Sequence, residues 1–213
     1  MIEPTAEGYA LSRTTPFTGA AKDAADWTAK NAGEPQMMAG LAEARLLQAL
    51  IVTGRAQRVL EIGTFTGVGA LTIAEALPPG GHLTSLEVDP ETAETARGHI
   101  AASPHAAKVE VLVGNAADTL ARLPGPFDLV WIDADKRSYP DYFQAVRDKL
   151  SGHGVIAADN LFRDGDTLNT ESTDRGTLAM RDFADSVRED PEFDSVLLTI
   201  GDGVLLAWRR PPG

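Results

Sequence analysis

From about residue 35 onward the chain alternates short apolar runs with longer stretches of helical period. Pro35 opens a helical pattern with Leu46, Leu47, Leu50 and Ile51 on one face, and Gly54 suits its end. Arg58–Ile62 (RVLEI) then reads as a short buried strand that runs into GTFTGVG. A helix carrying Ala70, Ile73, Ala74 and Leu77 follows and closes at PPGG. The unit repeats. Residues 83–88 predict a second strand, and Asp89-Pro90 offers an N-cap and first helical position for a helix ending near Ser103-Pro104. Val109–Val113 is a third strand, residues 115–123 a short helix, and Phe127–Ile132 a fourth strand. A helix with Tyr142, Phe143, Val146 and Leu150 stops at Gly152, and residues 155–158 form the fifth strand.

Strands alternating with helices at this spacing predict a parallel sheet covered on both faces. The end of the chain breaks the rhythm. After a polar loop at 162–175, a helix on Met180, Phe183, Ala184 and Val187 ends at Asp190-Pro191. Two strands follow, 195–200 and 204–208, separated only by Gly201-Asp202-Gly203, which predicts an antiparallel hairpin. The expected fold is therefore α/β, a Rossmann-like sandwich whose seven-stranded, mostly parallel sheet finishes in that hairpin. Residues 1–33 show no strand alternation and read as a loose arm with a short helix around 20–30. The remainder, 34–210, reads as the core of a single domain.

Composition narrows the function classes more than the fold. Asp plus Glu number 31 against 19 Lys plus Arg, a net charge of −12 that repels nucleic-acid backbones and anionic lipid. With no cysteine, disulfides, thiolate metal sites and Cys nucleophiles are excluded. The first residues lack a basic segment followed by an apolar one, and no uninterrupted apolar run approaches the ~18 residues of a membrane span. A cytoplasmic protein with no nucleic-acid or membrane partner is the expectation.

The chemistry gathers at the strand ends, where doubly wound sheets bind ligands. In Glu61-Ile62-Gly63-Thr64-Phe65-Thr66-Gly67-Val68-Gly69 the glycines allow close backbone approach to a nucleotide-type ligand. Glu87, at the end of the second strand, is placed to accept both hydroxyls of a ribose. The acid Glu61 beside the loop disfavours a pyrophosphate and suits an ammonium group, such as the amino-acid part of S-adenosylmethionine (SAM). Strand four ends in Asp133-Ala134-Asp135-Lys136 and strand five in Asp159-Asn160. If these strands are neighbours, Asp133, Asp159 and Asn160 share one edge, an all-oxygen donor set that suits Mg²⁺, Mn²⁺ or Ca²⁺ rather than zinc. The alternative for each acid is a helix or turn cap, as Asp89 is. Lys136, at the mouth of the same site, is a candidate general base. His82, His99, His105 and His153 fall on helices or in turns and read as solvated. Neither Ser138 nor Ser172 has a readable His and acid arrangement. Trp27, Trp131, Tyr139 and Phe162 are aromatic candidates for pocket walls, with Trp131 in a buried strand better placed as core.

Five segments, VLEIGTFTGVGALTIAEALPPGG, LTSLEVDPE, FDLVWIDADKRSYPDY, GVIAADN and LLTIGDGVLLAWRR, resemble the cation-dependent class I O-methyltransferases, the group that includes the caffeoyl-CoA and catechol enzymes. The resemblance runs in register from about residue 37 to 209. It implies SAM-dependent methylation of one hydroxyl of an ortho-dihydroxy aromatic, with a divalent metal, Mg²⁺ foremost, holding the acceptor. By motif it makes Asp133, Asp159 and Asn160 metal ligands, Asp133 also a cofactor and catalytic contact, and Lys136 the base. Glu61, Gly63 and Thr64, with Gly67 and Gly69 of the same loop, would face the methionine part of the cofactor. Glu87 would hold its ribose and Asn115 with Ala116 its adenine edge. Met37 matches a further cofactor contact, and Asp202 a position near the acceptor pocket. Three departures stand out. Gly67-Val68-Gly69 replaces the usual GYS and loses a hydroxyl, Gly114-Asn115-Ala116 alters the adenine edge, and the 162–175 loop lacks the usual glycines. No Lys/Arg cluster for coenzyme A phosphates is evident, so the acceptor expected is a small free catechol. A homodimer using the N-terminal arm is the family expectation. The competing readings are an NAD-dependent oxidoreductase on the same kind of sheet, with no metal requirement, and a catalytically silent cofactor-binding module.

Overall fold

The structure, a computed structural model, describes residues 5–211; the first four residues of the expected arm lie outside the described residues. Its centre is a seven-stranded sheet of β1 (Arg58–Ile62), β2 (His82–Glu87), β3 (Val109–Val113), β4 (Phe127–Ile132), β5 (Leu150–Ala158), β6 (Phe193–Leu198) and β7 (Val204–Arg209). Their order is β3-β2-β1-β4-β5-β7-β6, with the first five strands parallel and β7 antiparallel to both β5 and β6. The expected hairpin is thus present, and its returning strand slots in beside β5. Strand order reverses between β1 and β4, the switch point where doubly wound sheets open a crevice.

Among the described residues eight α-helices surround the sheet: α1 (Ala6–Arg13), α2 (Gly19–Asn31), α3 (Leu41–Gly54), α4 (Val68–Ala76), α5 (Pro90–Ala101), α6 (Ala116–Arg122), α7 (Tyr139–Arg147) and α8 (Arg175–Glu189). Alternation along each strand builds two cores. Val59, Leu129 and Trp131 face one side with residues of α2, α3, α4 and α5. Leu60, Ile62, Val130 and Ile132 face the other, with residues of α6, α7 and α8. Side-chain caps fix the starts of helices that border the site. Asp89 accepts from Thr92 N (2.7 Å) at α5, Asn115 from Ala117 N (2.9 Å) at α6, and Asp174 from Thr177 N (2.9 Å) at α8.

Several boundaries differ from the sequence pattern for local reasons. The arm holds two helices rather than one short one, and α2 buries Ala21, Ala24, Ala25 and Thr28. The pattern opened by Pro35 divides into a 3₁₀ turn (Pro35–Met37) and α3, because Met38 and Gly40 adopt extended backbone. By length and composition Pro35–Gly54 could cross a membrane, yet Ala44, Leu47 and Ile51 are fully buried in the protein core. Its left-handed cap falls on Arg55 (φ 53°), one residue past Gly54. Leu150 opens β5 instead of closing α7, pairing with Phe127 ahead of a register shift. The 162–175 loop contains a 3₁₀ segment, Arg163–Leu168, with left-handed Arg163 and Asp164. His82 and His153 sit on strands, and His99 is half-buried, donating from Nδ1 to Thr66 O (2.8 Å). A carbonyl can only accept, so the solvated reading fails for His99.

Candidate active site

The ends of β1, β2, β4 and β5 surround one cavity of about 1150 Å³. The strand ladder continues one residue into the loops. Gly63 N donates to Leu86 O (3.0 Å), Asp133 N to Ile62 O (2.9 Å), and Asp159 N to Ile132 O (3.0 Å). Asp133 and Asp159 therefore leave neighbouring strands in step, about 5 Å apart at the backbone. At the switch point the first loop crosses the end of β4 so closely that a Cβ on Gly63 would lie 1.9 Å from Asp133 O. With φ at +105°, Gly63 meets both demands as no other residue could.

On the β1–β2 side the carboxylates are held by the chain itself. Glu87 Oε2 accepts from Phe65 N (2.8 Å), and its Oε1 accepts from Val88 N (2.9 Å) and Asp89 N (3.0 Å). Glu87 thus shapes the loop that faces it and keeps a lone-pair site for a ligand hydroxyl. Glu61, 1% exposed, accepts from Ser85 Oγ (2.5 Å), which lies 2.6 Å from Thr64 Oγ1. Burial, joined by the negative charges of Asp133 and Glu87 and opposed by Ser85, pushes its carboxyl up to about 8. A Cβ on Gly69 would lie 2.5 Å from Glu61 Oε1. The glycine standing in place of the usual serine is therefore what lets this carboxylate reach the start of α4.

On the β4–β5 side the charges crowd one another. Lys136 Nζ donates to Asp133 Oδ1 (2.8 Å) and to Tyr139 OH (3.1 Å), while the buried Tyr139 donates to Ile132 O (3.1 Å). Burial and the charge of Asp133 push Asp159 up to about 8, against the Asn160 amide that its Oδ1 accepts at 2.7 Å. Asn160 itself is left-handed, at φ 61°. Asp202 Oδ1 accepts from Asp164 N (2.8 Å), tying the hairpin turn to the 3₁₀ segment, and burial raises its carboxyl too.

The cavity brings together Met37, Glu61, Gly63, Thr64, Gly69, Glu87, Asn115, Ala116, Asp133, Lys136, Asp159, Asn160 and Asp202. Gly67 is not on its wall. At φ +90° it starts α4 and packs on Ala96, where a Cβ would come within 3.2 Å. Among the four aromatic candidates Trp131 lines the cavity although it is core, whereas Tyr139 is buried beneath Lys136, Trp27 packs edge-on against His99 and Phe162 covers Gly203. Sequence reasoning missed Glu43, Ser85 and the link from Tyr139 to Lys136. Glu43 was findable: it precedes Leu47 and Ile51 at four-residue steps, an acid on the buried face of α3.

A family model described as O-methyltransferase matches residues 18–210. The chain belongs to this O-methyltransferase family. It is 39% identical over 195 residues to a catechol O-methyltransferase from Mycobacterium tuberculosis, covering 88% of each chain. To one from Niastella koreensis it is 36% identical over 187 residues, covering 83% of this chain and 84% of that one. An O-methyltransferase from Streptomyces achromogenes involved in tomaymycin synthesis, solved with SAM, superposes with a TM-score of 0.87 at 29% identity over 96% of both chains. One from Bacillus cereus, solved with SAH, gives 0.87 at 28% identity over the same share. The protein is an SAM-dependent O-methyltransferase with the Rossmann-like fold of those neighbours.

Proposed function

We propose that this O-methyltransferase transfers the methyl group to one hydroxyl of a small ortho-dihydroxy aromatic in a divalent-metal-dependent reaction, using a single catalytic domain. The observation that carries the reading is the convergence of Asp133, Asp159, Asn160 and Lys136 at one end of the cavity whose other end holds Glu61 and Glu87. The names of the two catechol O-methyltransferases support the acceptor class.

The residues present fit a divalent cation. Two carboxylates and a carboxamide supply hard oxygen donors, and Asp159 is buried against a like charge that a cation would relieve. No cluster of three or more His, Cys, Asp or Glu suited to a metal occurs among the described residues, and the proposed set consists of two carboxylates and the Asn160 carboxamide. Asp133, Asp159 and Asn160 would hold the cation, which when bound would supply the Lewis acidity that lowers the pKa of the acceptor hydroxyl. Asp133 and Tyr139 fix the position of Lys136 Nζ, and Lys136 in its neutral form, which a cation on Asp133 would favour, takes the hydroxyl proton. The acceptor oxygen then forms the new bond to the methyl carbon as the carbon–sulfur bond breaks, its electron pair staying on sulfur to leave a neutral thioether. Glu61 faces the cofactor's ammonium, and Glu87 its ribose. Placing the two reactants as a near-attack pair supplies about 7–11 kcal/mol. The same reading takes the protein as a cytoplasmic homodimer with the arm at the interface, since α1 buries none of its own residues within the chain.

The test is methyl transfer from SAM to a panel of small catechols, with and without EDTA and added Mg²⁺, beside Asp159→Ala. Metal-dependent monomethylation that is lost in the variant is expected. SAM binding with no turnover of any catechol would overturn the acceptor assignment, and EDTA-resistant turnover the metal.

A further inference from the structure

Glu61 enters the cofactor end of the cavity from inside the sheet, and its strand neighbours decide how it is held. The register of β4, β1, β2 and β3 puts Trp131, Glu61, Ser85 and Val111 in one row. Two residues earlier on the same face stand Leu129, Val59 and Leu83, all core. Glu61 therefore has an indole on one side and a hydroxyl on the other, at the edge of an apolar layer. Ser85 is fully buried and does not line the cavity.

The two oxygens of Glu61 are thereby made different. Oε2 accepts from Ser85 Oγ (2.5 Å), behind the cavity wall. Oε1 lies over Gly69, which is on the wall and where a Cβ would come within 2.5 Å of it. A serine hydroxyl has one proton. Because that proton goes to Glu61, the 2.6 Å contact between Thr64 Oγ1 and Ser85 Oγ is a bond donated by Thr64. The two hydroxyls thus donate in sequence toward the carboxylate, and bonds in such a chain strengthen one another. A swing of Glu61 away from Ser85 breaks the chain. A side chain at position 69 would force that swing, because α4 is packed in the core at Ala70 and Leu71 and yields less readily than the end of a glutamate.

We propose that Ser85 is a positioning residue for the cofactor: acting through Glu61, and with Gly69 leaving room opposite, it fixes the carboxylate in the orientation that presents Oε1 to the ammonium of SAM. The inference rests on the reading of Glu61 as the partner of that ammonium and adds what makes the partnership effective. Since Ser85 lies behind Glu61, its influence is confined to ligands that carry the amino-acid group. S-adenosylhomocysteine shares that group with SAM. 5′-Methylthioadenosine keeps the adenosine and the sulfur and lacks it.

The experiment measures binding of these three ligands by calorimetry to the unaltered protein, to Ser85→Ala, Ser85→Thr, Gly69→Ala and Glu61→Ala, and to the double variant of Ser85→Ala with Glu61→Ala. Ser85→Ala and Gly69→Ala should each weaken SAM and S-adenosylhomocysteine about five- to twentyfold, the range for loss of a well-placed charge-assisted hydrogen bond. Both should leave 5′-methylthioadenosine within about twofold. Ser85→Thr keeps the hydroxyl and should hold all three ligands within about twofold of the unaltered protein. The double variant should bind SAM as Glu61→Ala does, because a residue that acts through another has no effect once its partner is gone. Equal weakening of all three ligands by Ser85→Ala, or a further loss of SAM affinity in the double variant, would overturn the inference and make Ser85 a packing residue. A loss of SAM affinity in Glu61→Ala with none in Ser85→Ala would overturn it too, leaving Glu61 as the ammonium's partner. Unchanged SAM affinity in Glu61→Ala would overturn that reading and this inference with it.

Discussion

The two halves of the cavity satisfy their buried carboxylates to different degrees. On the β1–β2 side Glu87 collects three backbone amides and Glu61 the Ser85 hydroxyl, so each carboxylate has donors before any ligand arrives. On the β4–β5 side Asp133 has Lys136, and Asp159 has only the amide of the next residue. Left-handed non-glycine backbone occurs in both halves, at Phe65 in the cofactor loop and at Asn160, Arg163 and Asp164 on the acceptor side. Strain and unsatisfied charge persist where surrounding packing enforces them and a ligand relieves them. The cofactor half is a preformed cradle, and on the proposed metal-dependent reading a divalent cation completes the acceptor half.

Removing the lysine of the acceptor half should have the largest effect. Lys136→Met should lower kcat by about a hundred- to ten-thousandfold, the range for a lost general base, with SAM affinity by calorimetry unchanged. Retained kcat would move the proton acceptor elsewhere. Next comes the divalent cation proposed for the acceptor half. Saturating Mg²⁺ should stabilise the parent by about 2–3 kcal/mol at a hundredfold excess over its Kd, read as a rise in Tm. Asp159→Asn should abolish that response while melting higher than the parent without metal. A variant that still responds would place the cation off this carboxylate.

Glu61 tests the cradle itself. Its carboxyl is raised in the folded chain from the ordinary 4.5 to about 8. Its contribution to stability is therefore fully present below pH 4.5 and lost as pH rises through 8, on the order of a few kcal/mol. Glu61→Gln, a neutral mimic, should melt higher than the parent above pH 8 when empty. It should also bind SAM roughly ten- to a hundredfold more weakly, having lost a charged partner for the ammonium. At pH 7 the parent should release a proton on binding SAM, seen as a buffer-dependent enthalpy absent in the variant. An unchanged affinity would show that Glu61 is a buried structural acid.

The same division governs what was legible in the chain. Glycines, strand-end acids and a base at fixed offset are local signals, and apart from Gly67 every residue read from them lines the cavity. Gly67 misled because its left-handed backbone serves the start of α4 and its packing on Ala96. Glu43 and Ser85 act through contacts made across the fold, from α3 and from inside β2, where no local motif marks them, whereas Tyr139 stands three residues from Lys136 and its role is set by burial beneath it. Helix ends were hardest: Met38 and Gly40 unwind the pattern begun at Pro35 so that Glu43 can reach the turn at Gly201. The arm was underread because its apolar face is mostly alanine, and Ala21, Ala24 and Ala25 carry little hydrophobic signal.

The arm supplies the smallest and most discriminating test of the preformed half. Thr28 Oγ1 donates to Ala24 O (2.7 Å), so the 2.7 Å contact with Thr66 Oγ1 must be a bond donated by Thr66. With His99 donating to Thr66 O, α2 and α5 grip the cofactor loop from both sides. Thr28→Val keeps the shape and removes the acceptor, leaving a buried Thr66 hydroxyl without a partner at a cost of about 1 kcal/mol. Tm should fall by about 2–4 °C. If the cradle is held ready by these contacts, SAM affinity should fall by about twofold to fivefold as well, because binding must then order the loop. A lower Tm with unchanged affinity would mean that the loop keeps its shape through Glu87 and Gly63 alone, and that the arm contributes only to stability.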